Sequence, residues 1–234
     1  MKKVLLKLVK VEELTPTVKE FTFTSSDGVI FKTGQWMMLE LPEGGQIFKR
    51  SMSIASPEYE KNKLDFCVKR VPNGRGGSKA MHLLSVGQTI QASGPFGLFT
   101  LRAPFEGDIM LIAAGSGISP FKAMILDLLK DKKVKNEVYL LFGNRTEDEI
   151  IYKIFFEELA KEHKNFHFIP VLSRAGEEWG GENGRVQDLV KKYFSSGKNK
   201  DVYICGMKEM VLDVVALLEE KEFDSKRIYF ERYN

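Results

Sequence analysis

Cysteine, histidine and tryptophan are all scarce in this chain of 234 residues, at two, three and two respectively. Cys67 and Cys205 are too few to build an iron–sulfur or thiolate–metal framework, and they suit a reducing compartment. The histidines add no metal site, because His163 and His167 straddle the expected end of a helix and read as a solvated pair. Long apolar runs are missing as well, with none near the ~20 residues that span a bilayer. The N-terminus, Met1 to Lys7, regains charge before a signal-peptide core can form, so the expectation is a cytoplasmic protein with no membrane span. Charge of one sign is also lacking. A net charge of +3 gives no argument for nucleic acid. Basic residues nevertheless crowd the first third, at Lys2, Lys3, Lys7, Lys10, Lys49, Arg50, Lys61, Lys63, Lys69, Arg70 and Arg75. That crowding fits solvated faces or a surface for an acidic protein.

The chain does carry two different periodicities. Up to about residue 100, short runs of strand character recur at Val4–Val11, Val18–Thr24, Trp36–Leu41, Ser51–Ser56, Leu64–Arg70 and Thr89–Ser93. Gly/Pro turns separate them, and one helical piece interrupts at Ser78–Ser85. This pattern predicts a small antiparallel barrel of six strands over 1–104. Beyond Pro104, strands at Ile109–Ala114, Glu137–Phe142, Phe166–Leu172, Val202–Cys205 and Ile228–Phe230 alternate with helices. Those helices are Phe121–Lys130, Ile150–Lys161, Val186–Tyr193 and Glu209–Glu222. Five strands with four crossovers predict a doubly wound parallel sheet over 105–234.

The junction at Ile109–Leu129 organises the second half. An apolar strand breaks into Gly115-Ser116-Gly117-Ile118-Ser119-Pro120 and enters a helix. Strand, glycine turn and helix together aim backbone N–H groups and a helix dipole at a phosphate. Pro120 stands where the common dinucleotide fingerprint has its third glycine, and proline suits a first helical turn. Ligands of such sheets bind beyond the carboxyl ends of strands. Gly115–Ser119, Gly143–Thr146, Ser173-Arg174 and Cys205-Gly206 are therefore expected along one edge.

Further motifs stand on either side. Arg50-Ser51-Met52-Ser53 places an arginine at a strand end, where its guanidinium can grip a pyrophosphate with two hydrogen bonds. The Met52 thioether can lie against a π face. Gly74-Arg75-Gly76-Gly77-Ser78 is either a flexible loop with Ser78 as a helix cap or a phosphate-binding turn. Gly94-Pro95-Phe96-Gly97 reads as a structural turn. Cys205, in Val202-Tyr203-Ile204-Cys205-Gly206, is by itself either a small buried apolar residue or part of a site. The chain closes with Glu231-Arg232-Tyr233-Asn234, where Tyr233 is a frayed end or a ring with work to do.

In this order, over nearly the whole chain, these motifs resemble the ferredoxin–NADP reductase family. The resemblance implies a Greek-key flavin barrel followed by a Rossmann-like nucleotide domain. Arg50, Ser51, Met52, Ser53, Val68, Lys69, Gly76, Gly77, Ser78 and Tyr233 would hold the flavin. Gly115, Gly117, Ile118, Pro120, Arg145, Ser173, Arg174 and Gly206 would hold the nicotinamide nucleotide. Ser53, Cys205 and Glu231 would surround the reacting atoms. Met52 departs from the aromatic residue of the family, and the Tyr233 ring would supply the missing stacking. Arg50 together with the Ser78 loop suits FAD rather than FMN, and Ser173-Arg174 leans towards NADPH over NADH. The implied reaction passes hydride from NAD(P)H to FAD and electrons onward to a separate acidic redox protein, such as a ferredoxin, flavodoxin or oxygenase component. Two other readings stay open at this point: an NAD(P)H:flavin reductase with free flavin as substrate, and a nucleotide-sensing subunit on the same fold.

Overall fold

The structure, a computed structural model of the whole chain, describes residues 3–71, 77–194, 197 and 199–233. It divides into two compact units. One comprises Met1–Leu101 with Ser119–Lys132, and the other Arg102–Ile118 with Lys133–Asn234.

In the first unit, strands β1 (Lys3–Thr15), β2 (Val18–Thr24), β3 (Trp36–Glu43), β4 (Gln46–Ser53), β5 (Lys63–Lys69) and β6 (Thr89–Phe96) pair antiparallel. Their order is β4-β3-β6-β1-β2-β5. The last strand in sequence thus lies between β1 and β3, in Greek-key fashion. Alternation decides which face is core: Val4, Leu6 and Leu8 are buried while Leu5 and Val9 are exposed. Phe21, Phe23, Met37, Leu39, Leu41 and Phe66 fill the same core.

The sequence expectation starts the fourth strand at Ser51, whereas it begins at Gln46. Gly44 and Gly45 both have positive φ (57° and 77°), which lets a two-residue loop return the chain at once and pair Gln46 with Glu43. A short helix α1 (Gly77–His82) follows β5. Helix α2 (Ser119–Leu126), which continues as a π-helical turn Asp127–Asp131, also belongs to this unit. All eight residues of α2 are buried. It is apolar all round except at Ser119 and Lys122, as suits a helix covered on every side.

In the second unit, β7 (Asp108–Ala114), β8 (Val138–Asn144), β9 (Phe166–Leu172), β10 (Glu182–Asn183), β11 (Lys200–Met207) and β12 (Ile228–Tyr233) pair parallel. The order is β10-β9-β8-β7-β11-β12. The expected five strands are joined by β10, whose two residues are too few to show a period. Helices α4 (Val186–Tyr193) and α5 (Lys208–Glu220) cover one face, packing on Met110, Ile112, Leu141, Val202 and Ile204. Phe156 of α3 (Lys153–Glu162) meets the rings of Phe166 and Phe168 on β9 at 6.2 and 5.3 Å. This helix starts later than expected because Tyr152 takes a left-handed turn, φ 59°, just before it.

The Arg227 guanidinium holds the entrance to β12 by gripping both carboxylate oxygens of Asp201 at 3.0 and 2.8 Å. From β7 the chain winds outward through β8 and β9, then returns to β11 on the other side of β7. The switch point of the sheet therefore lies between the carboxyl ends of β7 and β11. No helix among the described residues is long and apolar enough to cross a membrane.

Candidate active site

In the barrel unit, β4 presents its four motif residues on alternate faces. Ser53 lies opposite Trp36, Met52 opposite Met37, Ser51 opposite Met38 and Arg50 opposite Leu39. Ser53 is buried, Ser51 and Arg50 are exposed, and Met52 is half-buried against the barrel core. The Trp36 ring lies against Phe96, centroids 4.8 Å apart and planes tilted by 41°, so an aromatic pair stands on the Ser53 face of the sheet.

The Arg50 side chain crosses the start of α1, where a Cβ on Gly77 would collide with its Cγ and Nε. Only glycine permits that approach. Arg50 Nη1 donates to the Lys49 carbonyl at 2.8 Å, and Ser78 Oγ accepts from the Val71 N–H at 3.4 Å. A guanidinium and the first backbone groups of a helix are thus brought together, which is a donor set that suits a pyrophosphate. Gly74, Arg75 and Gly76 lie outside the described residues.

On β5, Val68 is buried and Lys69 half-buried. The Val68 carbonyl accepts a 3.0 Å hydrogen bond from His82 Nε2, which ties α1 to β5. Burial lowers the His82 pKa below the ordinary imidazole value, so the ring is neutral while it donates. The sequence reading passes over His82, since a lone histidine at a helix end carries no signal.

In the nucleotide unit, the turn after β7 is a 3₁₀ segment, Gly115–Ile118. Gly115 has φ +53°, and Gly117 presses on β11 so closely that a Cβ there would collide with the Cys205 carbonyl. Glycine is required at both positions, which leaves the backbone bare at the switch point. Gly206 is buried beside Ala114 and Met210. Ile118 is buried, and Pro120 is buried in the first turn of α2.

Along the same sheet edge, the Ser173 N–H donates to the Asn144 carbonyl at 3.0 Å and the Arg174 N–H to the Arg145 carbonyl at 2.8 Å. The ends of β8 and β9 therefore set Arg145, Ser173 and Arg174 side by side, all exposed.

The parallel β11–β12 pair completes the cluster, with Cys205 opposite Glu231 and Met207 opposite Tyr233. Glu231 and Tyr233 are two residues apart on one strand and share a face, both half-buried. Cys205 is fully buried, and burial pushes its thiol well up. The Glu231 charge adds to the shift, and a hydrogen bond from Tyr233 opposes it. A neutral thiol, a carboxylate and a phenol thus converge within one unit.

The sequence reading also misses a buried charge cluster in the barrel unit, Lys122 with Glu20 and Asp65. A usable signal exists: a lysine inside an otherwise apolar helix has to find its counter-charge.

Two family descriptions match the chain, Oxidoreductase FAD-binding domain over residues 5–101 and Oxidoreductase NAD-binding domain over residues 111–216. Ferredoxin–NADP reductase B of Sorangium cellulosum (strain So ce56) is 35% identical over 237 residues, covering 97% of this chain and 96% of that protein. DmpP, the reductase component of phenol 2-monooxygenase from Pseudomonas sp. (strain CF600), is 33% identical over 94% of this chain. This chain spans 63% of its length, less than two thirds. The crystal structure of a ferredoxin NADP+ reductase from Neisseria gonorrhoeae with bound FAD and NADP shares the fold, with a TM-score of 0.87 at 24% identity over 99% of each chain. The Arg50–Gly77 cradle and the bare Gly115–Gly117 turn fit the two nucleotides that these descriptions name. The chain belongs to the ferredoxin–NADP reductase family, and it is an NAD(P)H-dependent FAD oxidoreductase.

Proposed function

We propose that this oxidoreductase draws electrons from NAD(P)H and delivers them to a separate acidic one-electron carrier, such as a ferredoxin, a flavodoxin or an oxygenase component. The observation that carries the reading is the Arg50 side chain laid across Gly77, a clamp for the pyrophosphate of a retained FAD. Bound FAD supplies the conversion of a hydride pair into single electrons, which amino-acid side chains cannot perform. The protein contributes binding and alignment. Arg50 and the backbone of Gly77 and Ser78 hold phosphate, Lys69 adds charge at the end of β5, and Ser53 offers a hydroxyl to the reacting edge. Cys205 and Glu231 shape the place of the nicotinamide ring, and Tyr233 offers an aromatic ring beside Cys205. Arg145, Ser173 and Arg174 offer two cations and a hydroxyl, chemistry that favours the 2′-phosphate of NADPH. Exposed Lys7, Lys49 and Arg70 give the barrel unit a basic surface suited to an acidic partner.

The test is a visible spectrum of the purified protein after gel filtration in flavin-free buffer, followed by NADPH-driven reduction of a small acidic iron–sulfur protein. A stoichiometric flavin band and rapid, salt-sensitive reduction of the carrier are expected. A colourless protein that oxidises NADPH only with added flavin would instead establish the second reading, a reductase of free flavin. Met52, a thioether where stacking is needed, is the observation that favours that alternative.

A further inference from the structure

Helix α2 carries one charge into a fully buried setting. Lys122 Nζ lies 2.5 Å from Glu20 Oε2 and 3.4 Å from Asp65 Oδ2. Glu20 is on β2 and Asp65 on the neighbouring β5, and both are buried, Asp65 to 1% exposure. Asp65 is held in turn by the Thr22 hydroxyl at 2.8 Å and by Lys63 Nζ at 3.1 Å. Lys122 is thus the buried cation between two buried carboxylates, and the half-buried Lys63, which also pairs with Glu60 at 3.0 Å, adds a second cation from the surface.

Apolar contacts flank the cluster on the same helix. Phe121 meets Phe99 at 5.9 Å, and the Met124 methyl occupies the space that a Cβ on Gly34 would need. These contacts alone leave the setting of α2 poorly determined, because apolar surfaces tolerate sliding and rotation. A lysine paired with carboxylates on two strands does not. A one-residue slip would turn Lys122 by about 100° away from both acids. Fixing register is the best-attested use of a buried ion pair, whose desolvation cost leaves little net stability.

We infer that Lys122 is a positioning residue for the nicotinamide nucleotide. Its ion pairs with Glu20 and Asp65 set the first turn of α2, which bears Ser119 and Pro120 of the glycine-turn motif. This inference rests on the reading that the motif receives the nucleotide. Lys122 touches no substrate in this role. It fixes the helix into which the glycine turn runs.

The test compares Lys122→Met/Glu20→Leu, which removes one balanced pair and leaves Asp65 with Lys63 and Thr22, against wild type and Lys122→Arg. Flavin content, the melting transition, the calorimetric Kd for NADP+ and NAD+, and the KM and kcat for the reduced nucleotides are measured. The double variant is expected to keep its flavin band and a melting transition close to wild type. Its Kd and KM rise roughly tenfold, and kcat stays within about twofold. Lys122→Arg restores most of the affinity. A folded double variant with unchanged Kd overturns the inference, as does a Kd increase that merely follows lost flavin or lost stability. Should the double variant not fold, Glu20→Gln keeps the shape and removes one charge. It then carries the same expectation at about threefold, and an unchanged Kd there overturns it. Gly117→Val separates the two levels. If that variant binds NADP+ normally, the nucleotide reading of the turn has failed; if it loses binding while the Lys122 variants do not, only the positioning role has failed.

Discussion

Cys205 and Glu231 stand opposite each other across the parallel β11–β12 pair, so a fully buried thiol looks onto a half-buried carboxylate. The arrangement keeps the sulfur protonated. Burial disfavours the thiolate, and the negative charge of Glu231 disfavours it further. A small, polarisable, uncharged atom is therefore what the site offers at that point, and nucleophilic chemistry is not.

The first expectation follows directly. Cys67 and Cys205 are both reduced thiols and both buried. Native protein at pH 8 should leave a thiol-reactive chromogenic disulfide unreacted for minutes, and two thiols per chain should appear on addition of denaturant. Rapid reaction of one equivalent in the native state that persists in Cys67→Ser would show a thiolate at Cys205 and overturn this assignment.

Ser53 gives the second. It is buried on the Trp36 face of the barrel sheet, so replacement by alanine removes a hydroxyl and little volume. Ser53→Ala is expected to slow single-turnover reduction by NAD(P)H by roughly a hundredfold, the scale of one lost donor at a reacting centre. The Kd for the oxidised nucleotide should not move. Equal single-turnover rates would remove Ser53 from the chemistry.

Most of the fold is legible in the sequence because it rests on short-range pattern. The alternation of Val4, Leu6 and Leu8, the apolar run Ile109–Ala114 and the glycine turn that follows it each need only their neighbours to be read. The site motifs are legible for the same reason, since Arg50–Ser53 and Cys205-Gly206 occupy strand ends. What escaped depends on pairing across the chain. β10 exists only because Glu182 and Asn183 find Val171 and Leu172. The partners of Lys122 lie 102 and 57 residues away. The cover of α2 is equally hidden, because a helix that is apolar but for Ser119 and Lys122 does not say which elements pack on it.

Asp127 provides a pH expectation. It is fully buried in the π-helical turn, and neither carboxylate oxygen makes a hydrogen bond of good geometry. Burial raises its pKa to about 6, against the opposing influence of the Thr33 hydroxyl and Lys132. A carboxyl whose pKa is higher folded than unfolded costs nothing below pH ~4, where both states are protonated. Between about pH 4 and 6 the unfolded chain gives up its proton first, so stability falls as pH rises, by up to about 3 kcal/mol in all. Asp127→Asn should therefore melt like wild type at pH 4 and several degrees higher at pH 8. Equal melting transitions at both pH values would place the carboxyl in a better-solvated setting.

Arg174 provides a test of nucleotide choice. Its backbone N–H donates to the Arg145 carbonyl, so the ends of β8 and β9 hold two exposed arginines together with Ser173 alongside. A dianionic 2′-phosphate gains from such a pair, whereas the 2′-hydroxyl of NADH offers it little. A hydrogen bond to a charged group contributes about 1.5–3 kcal/mol, which corresponds to a loss of roughly ten- to a hundredfold in affinity when it is deleted. Arg174→Ala should therefore raise the KM for NADPH by about that factor and leave both the KM for NADH and the kcat with either nucleotide nearly unchanged. Arg174→Lys should recover only part of the loss, because an ammonium keeps the charge without the planar fork. Raising ionic strength should narrow the difference between wild type and Arg174→Ala with NADPH and have no such effect with NADH, since the arginine is solvent-exposed. A uniform rise in KM for both nucleotides would mean that Arg174 supports the sheet edge rather than reading the phosphate.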